Sequence, residues 1–354
     1  MDQDKLLAAL GSIRQRPAWR EALVRHLLAF EKDIATLGID IREDVTGPIV
    51  DAVYEEGEPL RKALSGGAQF EFLYRSKIAR DLVMSEPATP DHAWEPMTSR
   101  IVVDLARGAQ QVVVGGAYFG DHAVLIAREI AKNGGLVHAF EPNSDQRRML
   151  TRNAELNGLS NVVARPEGLW SSSSEHLKLV GYDSFATAEK VEAGADDAFT
   201  TVTIADYLAG QGVDRLDLIV VDIEGAEFAA LQGGEGFLKR PAGEAPHIVF
   251  EVHRHYVDWS NGLRDTEISR YLTGLGYELF ALRDFNSNVD LAGKPIELIP
   301  QDKVYLEGPP HGFNMVAVKD VAVFRNDRYR IVENVSPKLL RHKDPALHHP
   351  VGGL

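Results

Sequence analysis

One stretch limits the possible folds more than any other: residues 111–143, QVVVGGAYFGDHAVLIAREIAKNGGLVHAFEPN. An apolar strand, Val112 to Val114, runs into the glycine-rich turn Gly115-Gly116-Ala117-Tyr118-Phe119-Gly120. Ala123, Ile126, Ala127 and Ile130 follow at the spacing of a helix with one apolar side. Leu136 to Phe140 is a second apolar strand that ends on a carboxylate, Glu141. A strand, tight turn, helix and strand in this order form the opening half of a Rossmann-like sheet.

Each part has a physical role. Gly115, Gly116 and Gly120 lack a Cβ, so the turn can take unusual dihedrals and approach a ligand closely. Backbone N–H groups at the start of the following helix, around Asp121, have no helical partner and can hold polar groups. Glu141, with Pro142 and Asn143 behind it, stands where a carboxylate accepts both hydroxyls of an adenosine ribose. A nicotinamide fingerprint, G-x-G-x-x-G, requires glycine at the third position, where this chain has Ala117, so a diphosphate fits poorly. S-adenosylmethionine has no phosphate and suits the turn better.

Two more strand ends carry acids. Leu216 to Val221 is a continuous apolar run, typical of a strand buried on both faces, and it leads into Asp222-Ile223-Glu224-Gly225-Ala226-Glu227. His247 to Phe250 repeats the design before Glu251-Val252-His253. Ligands of open α/β sheets bind beyond the carboxyl ends of the strands. Glu141, Asp222, Glu224, Glu251 and His253 are therefore expected to gather at one edge.

Four segments, GGAYFGD at 115–121, FEPN at 140–143, VDIEGAE at 221–227 and VFEVH at 249–253, resemble the FkbM family of S-adenosylmethionine-dependent methyltransferases, over about residues 95–320. The resemblance implies a class I methyltransferase that methylates an oxygen, commonly a hydroxyl of a sugar or a polyketide-type natural product. It also implies an acid two residues before the first glycine of the G-A-x-x-G turn, where this chain has Val114; Asp121 is the substitute at hand. Tyr118 replaces a residue that is usually small and polar, and is expected along the methionine portion.

The remaining sequence sets the frame. With 354 residues and 44% hydrophobic residues, the chain can build one large domain and a smaller one. Its 52 acids against 38 bases give a charge of −14, which argues against nucleic acid or anionic membrane as partner. No cysteine is present, so thiolate chemistry and disulfides are excluded. No apolar run approaches a membrane span and the start lacks a signal-peptide core, so a cytoplasmic location is expected.

Residues 1–90 read as a helical cap or an oligomerisation element, including Phe70, Leu73, Lys77, Ile78 and Leu82 at helical spacing, with turns at Gly47-Pro48 and Pro87 to Pro90. Residues 91–320 read as the catalytic domain, a mixed seven-stranded sheet with helices on both faces. Ser144 is read as the cap of the next helix, and two exposed strands joined by an acidic loop are expected over 175–202. Residues 321–354, with His342, His348 and His349, read as a polar tail.

In this reading Glu167 and Gly168 meet the adenine, Trp170 covers it or packs in the core, and Asp222 borders both cofactor and acceptor. His253 is the first choice of base because imidazole titrates near neutrality, with Asp222 and Glu251 as alternatives or helpers. A Mg²⁺ ion on the same acids is the less favoured reading, since no ligand spacing is diagnostic. A nicotinamide oxidoreductase and a catalytically silent binding protein are the competing classes. The acceptor has no local code; a small hydroxyl compound, carbohydrate by preference, is expected.

Overall fold

A computed structural model describes residues 3–34, 40–181, 186–306 and 312–339. Its main sheet contains nine strands, here β1 (Gln111–Gly115), β2 (Leu136–Phe140), β3 (Val162–Arg165), β4 (Leu218–Val221), β5 (His247–His253), β6 (Glu278–Leu282), β7 (Ile296–Pro300), β8 (Gly312–Val318) and β9 (Tyr329–Ile331). Their order is β9-β7-β6-β8-β5-β4-β1-β2-β3. Strands β1 to β5 pair in parallel, while β8 runs antiparallel between β5 and β6. The order reverses at β1, which opens a crevice between the ends of β1 and β4, where Rossmann-like folds bind ligands.

The expected seven strands are all present, and two more extend one edge. β7 and β9 were missed because they add on beyond β6, and β9 has only three residues with two of them exposed. Both sheet faces are covered. Val112, Val114, Leu218 and Val220 face one core with Ile101, Ile126 and Ile130 of the helices Pro96–Leu105 and Asp121–Ile130. Val113, Ile219 and Val221 face the other, against Leu208, Leu238 and Leu272. Alternation on strands that are apolar throughout is what burial on two sides requires.

Residues before 91 are not wholly helical. Pro59–Ala63 and Gln69–Leu73 form an antiparallel hairpin, so Phe70 and Leu73 lie on a strand, and the helix begins only at Lys77. Phe70 and Phe72 are buried against Phe119 of the glycine-rich turn, with ring centroids 5.9 and 6.1 Å away. Gly47-Pro48 sits at the junction of a π-helical segment, Arg42–Thr46, and a short α-helix, Gly47–Asp51, instead of breaking the helical run. Arg42, 2% exposed, joins this region by pairing with Glu31 at 2.6 Å and Asp81 at 2.9 Å.

Two further expectations change. The 168–202 segment is a four-stranded sheet, Gly168–Leu169, His176–Val180, Thr187–Lys190 and Ala198–Val202, not two strands and a loop. The part of the tail described, 321–339, is folded: β9 pairs with β7, and Lys338–Leu339 pairs with Asp284–Phe285. His342, His348 and His349 lie outside the described residues. Among the described residues no helix is long and apolar enough to cross a membrane.

Candidate active site

The parallel register aligns the carboxyl ends: Gly115 of β1 lies beside Phe140 of β2 and Val221 of β4, and Val221 lies beside Phe250 of β5. The next residue of each strand is therefore Gly116, Glu141, Asp222 and Glu251. Gly116 has φ +71°, and a Cβ there would run into the carbonyl oxygen of Asp222. Glycine is needed here for a close approach to the neighbouring strand. The amides of Gly116 and Ala117 both donate to the Phe140 carbonyl at 3.0 Å, so they hold the turn to β2.

Glu141, 7% exposed, is fixed by two backbone amides, Tyr118 N–H on Oε2 and Asn143 N–H on Oε1, each at 2.8 Å. A carboxylate has about four acceptor sites, more than these two amides use. Asn143, not Ser144, caps the next helix: its side chain accepts from the amides of Asp145 and Gln146 at 3.0 and 3.2 Å. The Tyr118 phenol lies 3.1 Å from Ser76 Oγ and so ties the turn to the N-terminal region.

A cavity of about 840 Å³ opens over these ends, within the range of small-molecule sites. Gly115, Gly116, Tyr118, Asp121, Glu141, Pro142 and Asn143 line it, as do Glu167, Gly168, Asp222, Glu251 and His253. Three residues of the expected cofactor set do not. Ala117 and Phe119 are 1% and 2% exposed in the apolar cores, and Gly120, at φ +93°, starts the helix Asp121–Ile130 beside Leu150. Glu167 is paired with Arg165 at 2.5 Å, and Trp170 lines the cavity.

His253 Nδ1 accepts the amide of His255 at 3.1 Å. A neutral ring with Nδ1 accepting carries its proton on Nε2, so this imidazole is set as a donor. Burial, first of all, raises the carboxyls around it. Asp222 is pushed up to about 6, with Asp121 adding to the rise and His122 opposing it. Burial and the charges of Asp222 and Glu227 push Glu224 to about 8, while burial takes Glu227 to about 7 against the amides that hold it. Glu251 is raised well above its usual value, by burial and then by Asp222, Glu224, Glu227 and Glu95.

The sequence reading missed three charged groups at or beside this site. Glu95, raised by burial to about 8, is bound by Asn314 Nδ2 at 2.6 Å. Asp284 accepts from the amides of Met97 and Thr98 at 3.0 and 2.7 Å. Lys338, 7% exposed, donates to the Gly312 carbonyl at 2.5 Å; burial lowers its pKa against the pull of Glu95, Glu251 and Asp284. These residues come from segments far apart in the chain and have no local motif. Gly312 is a weaker clue: a Cβ there would strike Glu251 Oε1 and lie 2.6 Å from His253 Cδ2.

Residues 115–279 match the family described as Methyltransferase FkbM domain. This span of the chain is similar to an FkbM methyltransferase domain. The matched span starts at the glycine turn and ends within β6, so it takes in Glu141, Asp222 and Glu251 but not Glu95 or Lys338. Among solved structures, methyltransferase FkbM from Methylobacillus flagellatus KT aligns at 16% identity and TM-score 0.37, over 59% of this chain and 43% of that one. The alignment thus spans less than half of that chain. An O-methyltransferase from Bacillus cereus in complex with SAH aligns at 16% and 0.36, over 65% and 84%. An rRNA methylase from Streptococcus thermophilus aligns at 13% and 0.34, over 63% and 94%. No curated protein matches. The fold is α/β and Rossmann-like, with a nine-stranded sheet.

Proposed function

We propose that the FkbM domain binds S-adenosylmethionine and transfers its methyl group to a hydroxyl of a small molecule, of carbohydrate or glycosylated natural-product type. The placement of Glu141 carries this reading: a buried carboxylate held by two amides at the end of β2, beside a turn that lacks the middle glycine of a dinucleotide fingerprint. Glu141 would take the ribose hydroxyls, Gly168 and Trp170 the adenine, and Asp121 the amino-acid end in place of the acid missing at Val114. The Bacillus cereus neighbour was solved with SAH, the demethylated form of this cofactor. The cofactor supplies an activated methyl on a sulfonium.

The protein's own task is to position an oxygen and remove its proton. Transfer breaks the S–CH₃ bond and forms an O–CH₃ bond, and the hydroxyl proton goes to a carboxylate. Asp222 or Glu251 takes it in this reading, because His253 has its acceptor nitrogen engaged by a backbone amide. Alignment of the reacting groups supplies about 7 kcal/mol in good cases, and a positioned base about 10²- to 10⁴-fold. Residues 40–81 and 338–339 also reach the cavity, which supports assigning acceptor contacts to segments on both sides of residues 91–320. The charge of −14 supports a small acceptor over nucleic acid.

Calorimetry with S-adenosylmethionine, S-adenosylhomocysteine and NAD⁺ tests the cofactor. Saturable binding of the first two is expected, weakened about tenfold or more in Glu141→Ala, as loss of charged hydrogen bonds predicts. Absence of that binding, or its persistence unchanged in Glu141→Ala, overturns the reading. Mass spectrometry of acceptor pools incubated with enzyme and labelled cofactor then separates a methyltransferase from a silent binding protein.

A further inference from the structure

The acids in and around the cavity fall into two groups according to what the protein does for them. Asp284 is held by the amides of Met97, Thr98 and Phe285, Glu227 by those of Ile223 and Gly225, and Glu95 by Asn314 beside the Lys338 charge. Asp222, Glu224 and Glu251 have little of this. No side-chain or backbone donor among the described residues binds the Asp222 carboxylate, Glu224 has only the Tyr256 phenol, and Glu251 Oε2 is buried with no hydrogen-bond partner. A buried acceptor without a donor is costly unless a ligand completes it.

The three acids that the protein supports least are also the three that converge, one oxygen of each lying within 4.8 Å of the others. Two oxygens on one hard cation stand at most about 4 Å apart for magnesium and about 5 Å for calcium, twice the metal–oxygen distance. A second group points the same way. His122, 8% exposed, lines the same cavity with a buried Nε2 that has no hydrogen-bond partner, and its charge acts on Asp222. Gly312 lets β8 lie close to Glu251 and His253, where a Cβ would meet the Glu251 carboxylate.

We propose that Asp222, Glu224 and Glu251 bind one hard divalent cation, of the magnesium, manganese or calcium class, with His122 hydrogen-bonded to a water or acceptor hydroxyl beside it. Three oxygen ligands from two strand ends leave coordination positions open towards the cavity. An acceptor with adjacent hydroxyls would fill them with two oxygens, be oriented for transfer, and lose its proton more readily. This role rests on the methyltransferase reading; the cation site itself does not. It also changes the sequence-based preference, which had no spacing to support a metal.

Metal-stripped full-length protein titrated with Mn²⁺ alone, followed by the electron paramagnetic resonance of free Mn²⁺, tests the site. One saturable site is expected, with affinity reduced about tenfold or more in Glu251→Gln and in Glu224→Gln, and unchanged in Glu244→Gln, an exposed acid elsewhere. S-adenosylmethionine binding is measured on the same samples. Wild type that binds the cofactor but not Mn²⁺ overturns the cation site and spares the methyltransferase reading; the opposite result does the reverse. Glu224 is only half-buried, so its variant reports even if Glu251→Gln does not fold. Unchanged Mn²⁺ affinity in Glu224→Gln overturns the proposal.

Discussion

At the scale of single residues, the glycine turn works differently from a simple ligand cradle. Gly116 is fixed by the Asp222 carbonyl across the sheet, and its amide is occupied by Phe140. Gly116→Ala is therefore expected to lose about 2 kcal/mol or more, from a positive φ and a forced shift of β4, measured by urea unfolding. Cofactor affinity falls with it, because Asp222 and Glu141 flank the same turn. Asn143→Ala separates capping from binding: it removes two side-chain hydrogen bonds at a helix start, costing about 1 kcal/mol. It leaves the Asn143 amide on Glu141 in place, so calorimetry is expected to show nearly unchanged cofactor affinity.

At the scale of elements, two buried polar groups act as pins. Arg42 holds the helix Pro17–Asp33 through Glu31 and the helix Lys77–Val83 through Asp81. Arg42→Met leaves two buried carboxylates without their cation and is expected to cost about 3–5 kcal/mol, while replacing all three by apolar residues costs less. Denaturant unfolding of the wild type and these two variants decides this. His138, on β2, is bound by the Tyr207 hydroxyl and the Gln111 side chain, and burial lowers its pKa to about 4 from the usual 6.5. The unfolded chain then binds the extra proton first, so the stability involved is present above pH 6.5 and is lost as pH falls towards 4. The loss is at most about 3 kcal/mol, and His138→Gln is expected to flatten that acid limb in thermal melts.

At the scale of the whole molecule, one site draws on three parts of the chain. The family-matched span supplies Glu141, Asp222 and Glu251, the segment before it supplies Glu95, and the segment after it supplies Lys338. Glu95 shows the cost. Its carboxyl is raised to about 8 from 4.5, so the folded state holds a proton that the unfolded chain has released. That contribution is complete below about pH 4.5 and is lost as pH rises through 8. Melting temperature in metal-free buffer is expected to fall across this window, and Glu95→Gln is expected to flatten the fall.

Local pattern was enough to reveal the first βαβ unit, the parallel strands and the acids at their ends. A strand buried on both faces must be apolar throughout, and a carboxylate just past such a strand has few purely structural uses. Residues 59–73 misled because apolar residues such as Phe70 and Leu73 suit either period, and only pairing with the neighbouring strand made them a hairpin. β9 and Lys338 had no pattern to read, being short and polar; their place comes from contacts with β7 and Asp284. The sequence by itself determined the Rossmann-like half, its glycine-rich turn and the place of Glu141 at the end of β2, since these depend on neighbours within about thirty residues. Tertiary structure alone decided which acids are satisfied, which converge, and which end of the chain closes the site, because burial and charge are set by residues more than a hundred positions apart, as Asn314 on Glu95 illustrates.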